Sequence, residues 1–237
     1  MADDANDANS GDFPLASSAT TNQLDTSVNI RILHHMLGLH LIFSTYGFWP
    51  PNDPRGSGST RVRAQHIYDV GGEATKVDTT HSVAARPHDV RLRRAVKEAL
   101  KYPPVVLTGL QAHTVGQGFA MICAKIDLTI HACAIMPDHV HVVVARHKLD
   151  GDEIIACLKR AGTRALNDAG LHPLAAFGRT SGKHPCPWGG QGWKVFLGTP
   201  SEMRGRICYV EENPEKAGFR RQRCRLWCRI WGSTAWQ

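Results

Sequence analysis

The chain has 237 residues, of which 42% are hydrophobic and 21% charged, and its formal net charge is +7. This length allows one domain with extensions, and no stretch approaches the ~20 apolar residues of a membrane span. The N-terminus lacks the pattern of a signal peptide, so we expect a cytoplasmic protein with no membrane association. Seven cysteines at irregular spacing do not suggest a disulfide framework or a zinc site.

The positive charge is unevenly distributed. Residues 1–30 contain five aspartates and no lysine or arginine, so the remaining chain holds 28 basic and 16 acidic residues. Segments of such low hydrophobicity cannot offset the entropy cost of ordering, and we predict a disordered acidic tail over 1–30. Residues 31–237 then form a single basic domain, which suits a polyanionic partner.

Alternating and helical hydrophobic patterns divide this domain into secondary-structure elements. The predicted elements are, in chain order, a strand over 37–46, an irregular insertion over 47–87, a basic helix over 87–100, a helix over 108–125, strands over 128–136 and 139–145, an amphipathic helix over 151–169, a loop over 171–192, a strand over 193–198, and a helix from Ser201 to about Asn213. The insertion is either a surface loop or, through Arg55, Arg61 and Arg63, a segment that follows a phosphate backbone.

The order strand, helix, strand, strand, helix, strand is that of the split βαβ, or ferredoxin-like, pattern. We predict an α+β fold with an antiparallel sheet, helices on one face, and the last helix over the histidine-bearing strand. The hairpin of strands 128–136 and 139–145 is expected at the centre of the sheet.

The sequence Met-Pro-Asp-His-Val-His-Val-Val-Val begins at Met136. Side chains alternate along a strand, so His139 and His141 point to one side and the intervening valines to the core. Two imidazoles on one sheet face suit a divalent metal ion, and the alternative is two surface histidines on an edge strand.

Tyr209 and Asn213 are four residues apart on the last predicted helix, so they share one face. A tyrosine hydroxyl beside an amide oxygen provides a nucleophile next to a third metal ligand. The alternative is a half-buried core tyrosine and an asparagine that ends the helix before Pro214.

Together, the segments Met136–His141 and Tyr209–Gly218 resemble the single-tyrosine HUH transposases, most closely the REP-associated tyrosine transposases of bacteria. The resemblance implies that Tyr209 is the nucleophile, that His139, His141 and Asn213 bind Mg²⁺ or Mn²⁺, and that a 5′-phosphotyrosine intermediate forms. It also implies a single-stranded DNA partner with imperfect hairpins, a bacterial cytoplasm with nucleoid association when bound to DNA, and a monomer or a homodimer that exchanges the tyrosine helix.

Basic residues on the predicted helices and in a C-terminal extension over 214–237 are the candidates for contact with DNA phosphates. They are Arg91, Arg94, Lys159, Arg160, Arg164, Arg220, Arg221 and Arg223. For each of them the alternative is an ordinary solvated face.

Three other functions remain open from the sequence. A domesticated protein would bind the DNA hairpin without cutting it. A related HUH enzyme of plasmid mobilisation or replication would have a third histidine or a second tyrosine, and the sequence points to neither. An RNA-binding module of similar topology would carry aromatic residues on its central strands, where this chain has histidines and valines.

Overall fold

The computed structural model describes residues 36–77, 83, 86–178 and 182–222. The predicted acidic tail and the end of the C-terminal extension, with Arg223, lie outside the described residues. The elements are β1 Gly38–Ser44, α1 Gln65–Gly71, α2 Val90–Glu98, α3 Gly109–Ile126, β2 Ile130–Ile135, β3 His139–Ala145, α4 Gly151–Asp168, a 3₁₀ turn Ala175–Phe177, β4 Trp193–Leu197 and α5 Pro200–Lys216.

The four strands form one antiparallel sheet in the order β2-β3-β1-β4. The predicted α+β, ferredoxin-like class is confirmed. The expected central position of the hairpin is wrong for β2, which lies at an edge of the sheet. The central strands are β3, which pairs with β2 and β1, and β1, which pairs with β3 and β4.

Helices α3 and α4 cover one face of the sheet and pack against each other. Three valines of β3 and three apolar residues of β1 point into this layer, as their alternation predicts. The helices approach closely at Gly118, where a Cβ atom would lie 2.6 Å from the Ala161 carbonyl oxygen. This contact explains why α3 tolerates glycine inside a helix. The core residues here include Leu39, Leu41, Phe43, Val115, Phe119, Val140, Val142, Val144, Ile154 and Leu158.

Helix α5 packs on the opposite face, against β2, β3 and β4. The residues beneath it are small or narrow, and they include Ala132, Ala134 and Val143. They allow Val210 of α5 to be fully buried against the sheet. The predicted position of the tyrosine-bearing helix over the histidine strand is therefore correct.

The ends of α5 differ from the prediction. The N-cap is Thr199 and not Ser201, because the Thr199 side chain accepts a hydrogen bond from the Glu202 backbone and the Glu202 side chain bonds back to the Thr199 N–H. Pro214 does not end the helix, which continues to Lys216. Pro214 is buried in the last turn, and its carbonyl accepts a hydrogen bond from Phe219 beyond the helix. Its missing N–H leaves one helical hydrogen bond unmade, and the burial of its ring offsets that loss.

The insertion contains a packed structure over its described residues. Asp53 is fully buried and forms a two-pronged ion pair with Arg55 at 2.8 Å, and Arg93 of α2 adds a third hydrogen bond at 3.2 Å. Trp49 covers the Arg55 guanidinium group at 3.7 Å. Arg55 is therefore a structural residue, which contradicts its predicted contact with a phosphate backbone. No helix in the described part of the chain is long and apolar enough to cross a membrane.

Candidate active site

The turn that begins β3 is held by backbone and side-chain hydrogen bonds from three directions. The Met136 N–H donates to the His139 carbonyl at 2.8 Å and closes the hairpin. The Thr45 hydroxyl donates to the carbonyls of Val105 and Asp138 at 2.7 and 3.0 Å. These bonds fix the start of β3, and with it the direction of the first histidine side chain.

His139 and His141 lie on the α5 face of the sheet, as the alternation predicts, with ring centroids 4.8 Å apart. The Asp138 carboxylate accepts a hydrogen bond from His139 Nδ1 at 2.6 Å. A carboxylate on Nδ1 fixes the tautomer that leaves the Nε2 lone pair free, which is the usual arrangement of a metal-binding histidine.

A third histidine, His40 of β1, completes the cluster. Its Nε2 lies 3.0 Å from His141 Nδ1, and both side chains are buried. The sequence did not point to a third histidine, and among the described residues His40 joins the pair as a hydrogen-bonding neighbour of His141 and not as a third member of a metal-binding group. The available signal was that His40 shares a strand face with Ile42, whose register partner on β3 is His141. Only the pairing of β1 with β3 shows that His40 and His141 are neighbours on this face.

Burial keeps two of the three histidines neutral. Burial, with smaller contributions from His139, His40 and Arg206, lowers the pKa of His141 to about 2. Burial likewise lowers the pKa of His40 to about 4, with a smaller contribution from Arg206. Neutral imidazole is the form that binds metal ions.

Tyr209 of α5 lies over this cluster. Its ring centroid is 5.8 Å from that of His141 and 6.1 Å from that of His40, and the tyrosine is 38% exposed. The Tyr209 ring is flanked by Arg206 at 5.9 Å and Lys216 at 5.5 Å. A tyrosine that solvent can reach and two neutral histidines, His40 and His141, are thus adjacent within one chain.

The two carboxylates next to Tyr209 are paired with cations. Glu211 forms an ion pair with Arg221 at 2.7 Å, and Glu212 forms one with Lys216 at 2.9 Å. These exposed pairs reduce the local negative charge that the sequence places beside the tyrosine.

Asn213 is half-buried on α5, one turn beyond Tyr209. In the described part of the chain, no three His, Cys, Asp or Glu side chains are arranged to hold a metal ion. A metal site here therefore depends on the two histidines of β3, on Asn213, and on oxygen atoms from water or substrate. The Nδ1 atoms of both histidines are engaged with Asp138 and His40, so the donor set fits an open, mixed nitrogen and oxygen site.

The insertion contributes an aromatic side chain that sequence reasoning missed. Phe48 stacks on His139 with a centroid distance of 5.7 Å and an interplanar angle of 15°. Trp49 packs against both Phe48 and Trp193 of β4. The insertion thus forms one wall of the site.

The structure distributes the predicted DNA-binding residues over different surfaces. Arg160 and Arg164 are exposed on α4, on the sheet face opposite the histidines. The half-buried Lys159 donates to the Gly189 carbonyl at 3.1 Å and so holds a loop.

Arg91 and Arg94 are exposed on α2, and Arg220 is exposed just after α5. Arg221 pairs with Glu211.

A family model described as IS200-like transposase matches residues 99–178. This range contains β2, β3 and their histidines, and it ends before Tyr209. The match confirms, over these residues, the resemblance to the single-tyrosine transposases.

No curated protein sequence matches the chain. A solved structure of a REP-associated tyrosine transposase bound to a REP hairpin shares 12% identity with it, covers 78% of this chain and 70% of its own, and has a TM-score of 0.40. A solved structure described as a transposase of Deinococcus radiodurans R1 shares 18% identity, covers 75% of this chain and 90% of its own, and has a TM-score of 0.33.

Proposed function

We propose that this chain, whose residues 99–178 match the IS200-like transposase model, is a DNA transposase that cuts and rejoins single-stranded DNA through Tyr209. The observation that carries the proposal is the position of Tyr209. The centroid of its ring lies 5.8 Å from that of His141, which is buried and neutral together with His40. No residue of a second copy is needed to bring these groups together, so the proposed arrangement uses the tyrosine of the same chain.

The reaction follows from the chemistry of the tyrosine hydroxyl. The Tyr209 oxygen attacks the scissile phosphorus, the bond from phosphorus to the 3′ oxygen breaks, and the leaving 3′ oxygen takes up a proton. The product is a 5′-phosphotyrosine bond and a free 3′ hydroxyl. Attack by another 3′ hydroxyl reverses the step and joins strands, since the phosphodiester energy is kept in the covalent bond.

The residues that would hold a divalent metal ion are His139, His141 and Asn213, and Mg²⁺ or Mn²⁺ suits their nitrogen and oxygen donors. Such an ion supplies Lewis-acid polarisation of the phosphate. The chain contributes the orientation of both imidazoles through Asp138 and His40. Arg206 and Lys216 flank the Tyr209 ring at 5.9 and 5.5 Å and supply positive charge near a phosphate bound there.

The proposed substrate is single-stranded DNA next to an imperfect hairpin. The solved structure of a REP-associated tyrosine transposase holds a REP hairpin as that protein's partner. A flexible single strand can bend toward a tyrosine that is only 38% exposed, and a stiff duplex bends at greater cost. For a protein that acts on such DNA we propose a cytoplasmic location, at the nucleoid when it is bound to DNA. The alternative, a domesticated protein without cutting activity, would bind the same DNA hairpin but would form no covalent bond with it.

The test is covalent capture of DNA. The full chain is incubated with labelled single-stranded hairpins from the DNA that flanks its gene, with and without Mg²⁺, and run on a denaturing protein gel. We expect a labelled protein band that requires the metal ion and is lost in Tyr209→Phe.

Tyr46→Phe is the matched control, since Tyr46 is a half-buried tyrosine that packs on Tyr102. It should retain the band. Tight binding of these hairpins without a labelled band from the wild-type chain would favour the silent binding protein. A band that persists in Tyr209→Phe would assign the nucleophile to another residue.

A further inference from the structure

A basic cleft lies between α2 and the segment that follows it. Its volume is about 640 Å³. The lining residues that matter here are Arg93, Arg94, Lys97, Glu98, Lys101 and Tyr102. Four of these six carry positive charge and one is an acid, so the cleft is a local concentration of cations with an aromatic ring at its side.

Most of these cations have no carboxylate partner in the part of the chain that the structure describes. Arg93 bonds to Asp53, but none of the salt bridges among the described residues includes Arg94, Lys97 or Lys101. Partial burial and the nearby Arg93 and Arg55 lower the pKa of Lys97, and together they outweigh the opposing attraction of Asp53 and Asp138. A partly desolvated cation among other cations indicates that this cleft is built to receive an anion.

The cleft adjoins the candidate active site through one aromatic ring that contacts both. The Lys97 ammonium nitrogen lies 5.3 Å from the centroid of the Phe48 ring, which also stacks on His139 at 5.7 Å. Asp138, the partner of His139, acts electrostatically on Lys97 as well. The Phe48 ring therefore lies between Lys97 of the cleft and His139 of the candidate site.

The wall of the cleft is rigidly attached to the site. Gly47 has a φ of +78°, and a Cβ atom there would lie 3.0 Å from the Pro104 Cα atom. The Val105 N–H donates to the Tyr46 carbonyl at 2.9 Å, and the Tyr102 ring packs between Tyr46 and Phe177. Strand β1, the start of the insertion and the cleft thus form one packed unit, which fixes the distance between cleft and site.

We propose that the basic cleft binds the sugar-phosphate backbone of the single-stranded DNA segment next to the scissile phosphate, with Arg94, Lys97 and Lys101 contacting phosphates. Tyr102 offers a ring edge to a base. This proposal rests on the proposed function for the identity of the strand, but it assigns a separate binding surface that the tyrosine chemistry does not require.

The first experiment measures protection of lysines. The full chain is treated with an amine-acylating reagent, alone or with a single-stranded oligonucleotide that carries one imperfect hairpin between runs of thymidine, and each lysine is quantified by mass spectrometry. Phosphate contact should reduce acylation of Lys97 and Lys101 by about fivefold or more. Lys125, exposed in the last turn of α3, is the internal control and should be unaffected.

The second experiment measures affinity at several salt concentrations. Arg94→Gln combined with Lys101→Gln removes two exposed cations from the cleft, and Lys125→Gln combined with Lys148→Gln removes the same charge from other exposed positions. The cleft variant should bind the oligonucleotide about tenfold more weakly, and its slope of log K against log salt should fall by about 0.7 for each phosphate that the variant no longer binds. The control pair should retain most of the affinity and the slope.

Unchanged acylation of Lys97 and Lys101, or equal binding by the two double variants, would overturn the cleft assignment. Covalent capture through Tyr209 with an unprotected cleft would leave the proposed function intact and reject only the cleft. Protection of the cleft without any covalent capture would support the cleft and reject the proposed nuclease and transfer chemistry.

Discussion

His40 Nε2 and His141 Nδ1 lie 3.0 Å apart across the central strand pair, in a region where both rings are buried. Both rings are neutral near pH 7, because burial lowers both pKa values, to about 4 and about 2. One ring must therefore donate and the other accept. When His141 Nδ1 donates, His141 Nε2 keeps its lone pair for a metal ion, so His40 is a positioning residue for His141.

Replacement of His40 should weaken metal binding without removing a ligand. Loss of a partner behind a metal-binding histidine typically costs about 10–100-fold in metal affinity, and we expect this range for His40→Ala in a calorimetric Mn²⁺ titration. His40→Asn, which keeps a side-chain hydrogen-bonding group, should recover part of the loss. His184→Ala, at an exposed histidine outside the site, is the control. Wild-type Mn²⁺ affinity in folded His40→Ala would show that His40 only fills space.

Asp138 should act on His139 in the same way. Its carboxylate accepts the 2.6 Å bond from His139 Nδ1, and its backbone carbonyl accepts from Thr45. Asp138→Ala removes only the first of these interactions, so the turn should persist and Mn²⁺ affinity should fall by about tenfold or more. The thermal midpoint should change little. An unchanged Mn²⁺ affinity would argue against His139 as a ligand that Asp138 orients.

The buried Asp53 should be among the most sensitive positions of the insertion. Asp53→Ala leaves the Arg55 and Arg93 guanidinium groups without their shared carboxylate, and breaking a buried ion pair in this way costs about 3–5 kcal/mol of unfolding free energy. Asp69→Ala, at an exposed aspartate that bonds Gln65, should change stability by about 0.5 kcal/mol or less. Urea denaturation of both variants measures the difference, and equal midpoints would contradict it.

Asp53 should also make the unfolding free energy of the protein fall at acid pH. Burial raises the pKa of the Asp53 carboxyl, but hydrogen bonds from Arg55 and the charges of Arg55 and Arg93 outweigh burial and hold it below its ordinary value of 3.8. The folded state then binds the Asp53 proton less readily than the unfolded state. This stabilisation is complete above pH about 4 and is lost as the pH falls through the folded-state pKa. Below pH about 4 the wild type should lose more unfolding free energy than Asp53→Ala. Urea denaturation at several pH values measures this, and parallel curves of unfolding free energy against pH would refute the assignment.

Two helical glycines should respond in opposite directions to alanine. At Gly118 a Cβ atom would lie 2.6 Å from the Ala161 carbonyl oxygen of α4, so Gly118→Ala forces two helices apart and should cost about 1–3 kcal/mol. At Gly205 of α5 nothing lies within 4 Å of the added atom. Gly205→Ala should therefore stabilise the protein by about 0.5–1 kcal/mol through helix propensity. Thermal denaturation of the pair is the measurement, and a stabilising Gly118→Ala would contradict the close packing.

The sequence by itself determined the local elements and the histidine face. Alternation along β3 placed His139 and His141 on one side and three valines on the other, and the spacing of Tyr209 and Asn213 placed them on one face of a helix. These features depend on contacts within a few residues, which periodicity and capping chemistry encode directly. Local reasoning was less accurate at the C-terminal end of α5, where the helix continues through the buried Pro214 although proline usually ends a helix.

The tertiary structure decided what faces the histidines. His40 and His141 are 101 residues apart in sequence, and only the antiparallel pairing of β1 with β3 brings them together. The contact of Phe48 with His139 and the cleft around Lys97 also depend on tertiary structure. Both require the packing of the insertion, in which Asp53 pairs with two arginines. Such contacts arise from register and long-range packing, for which a single sequence carries no local pattern.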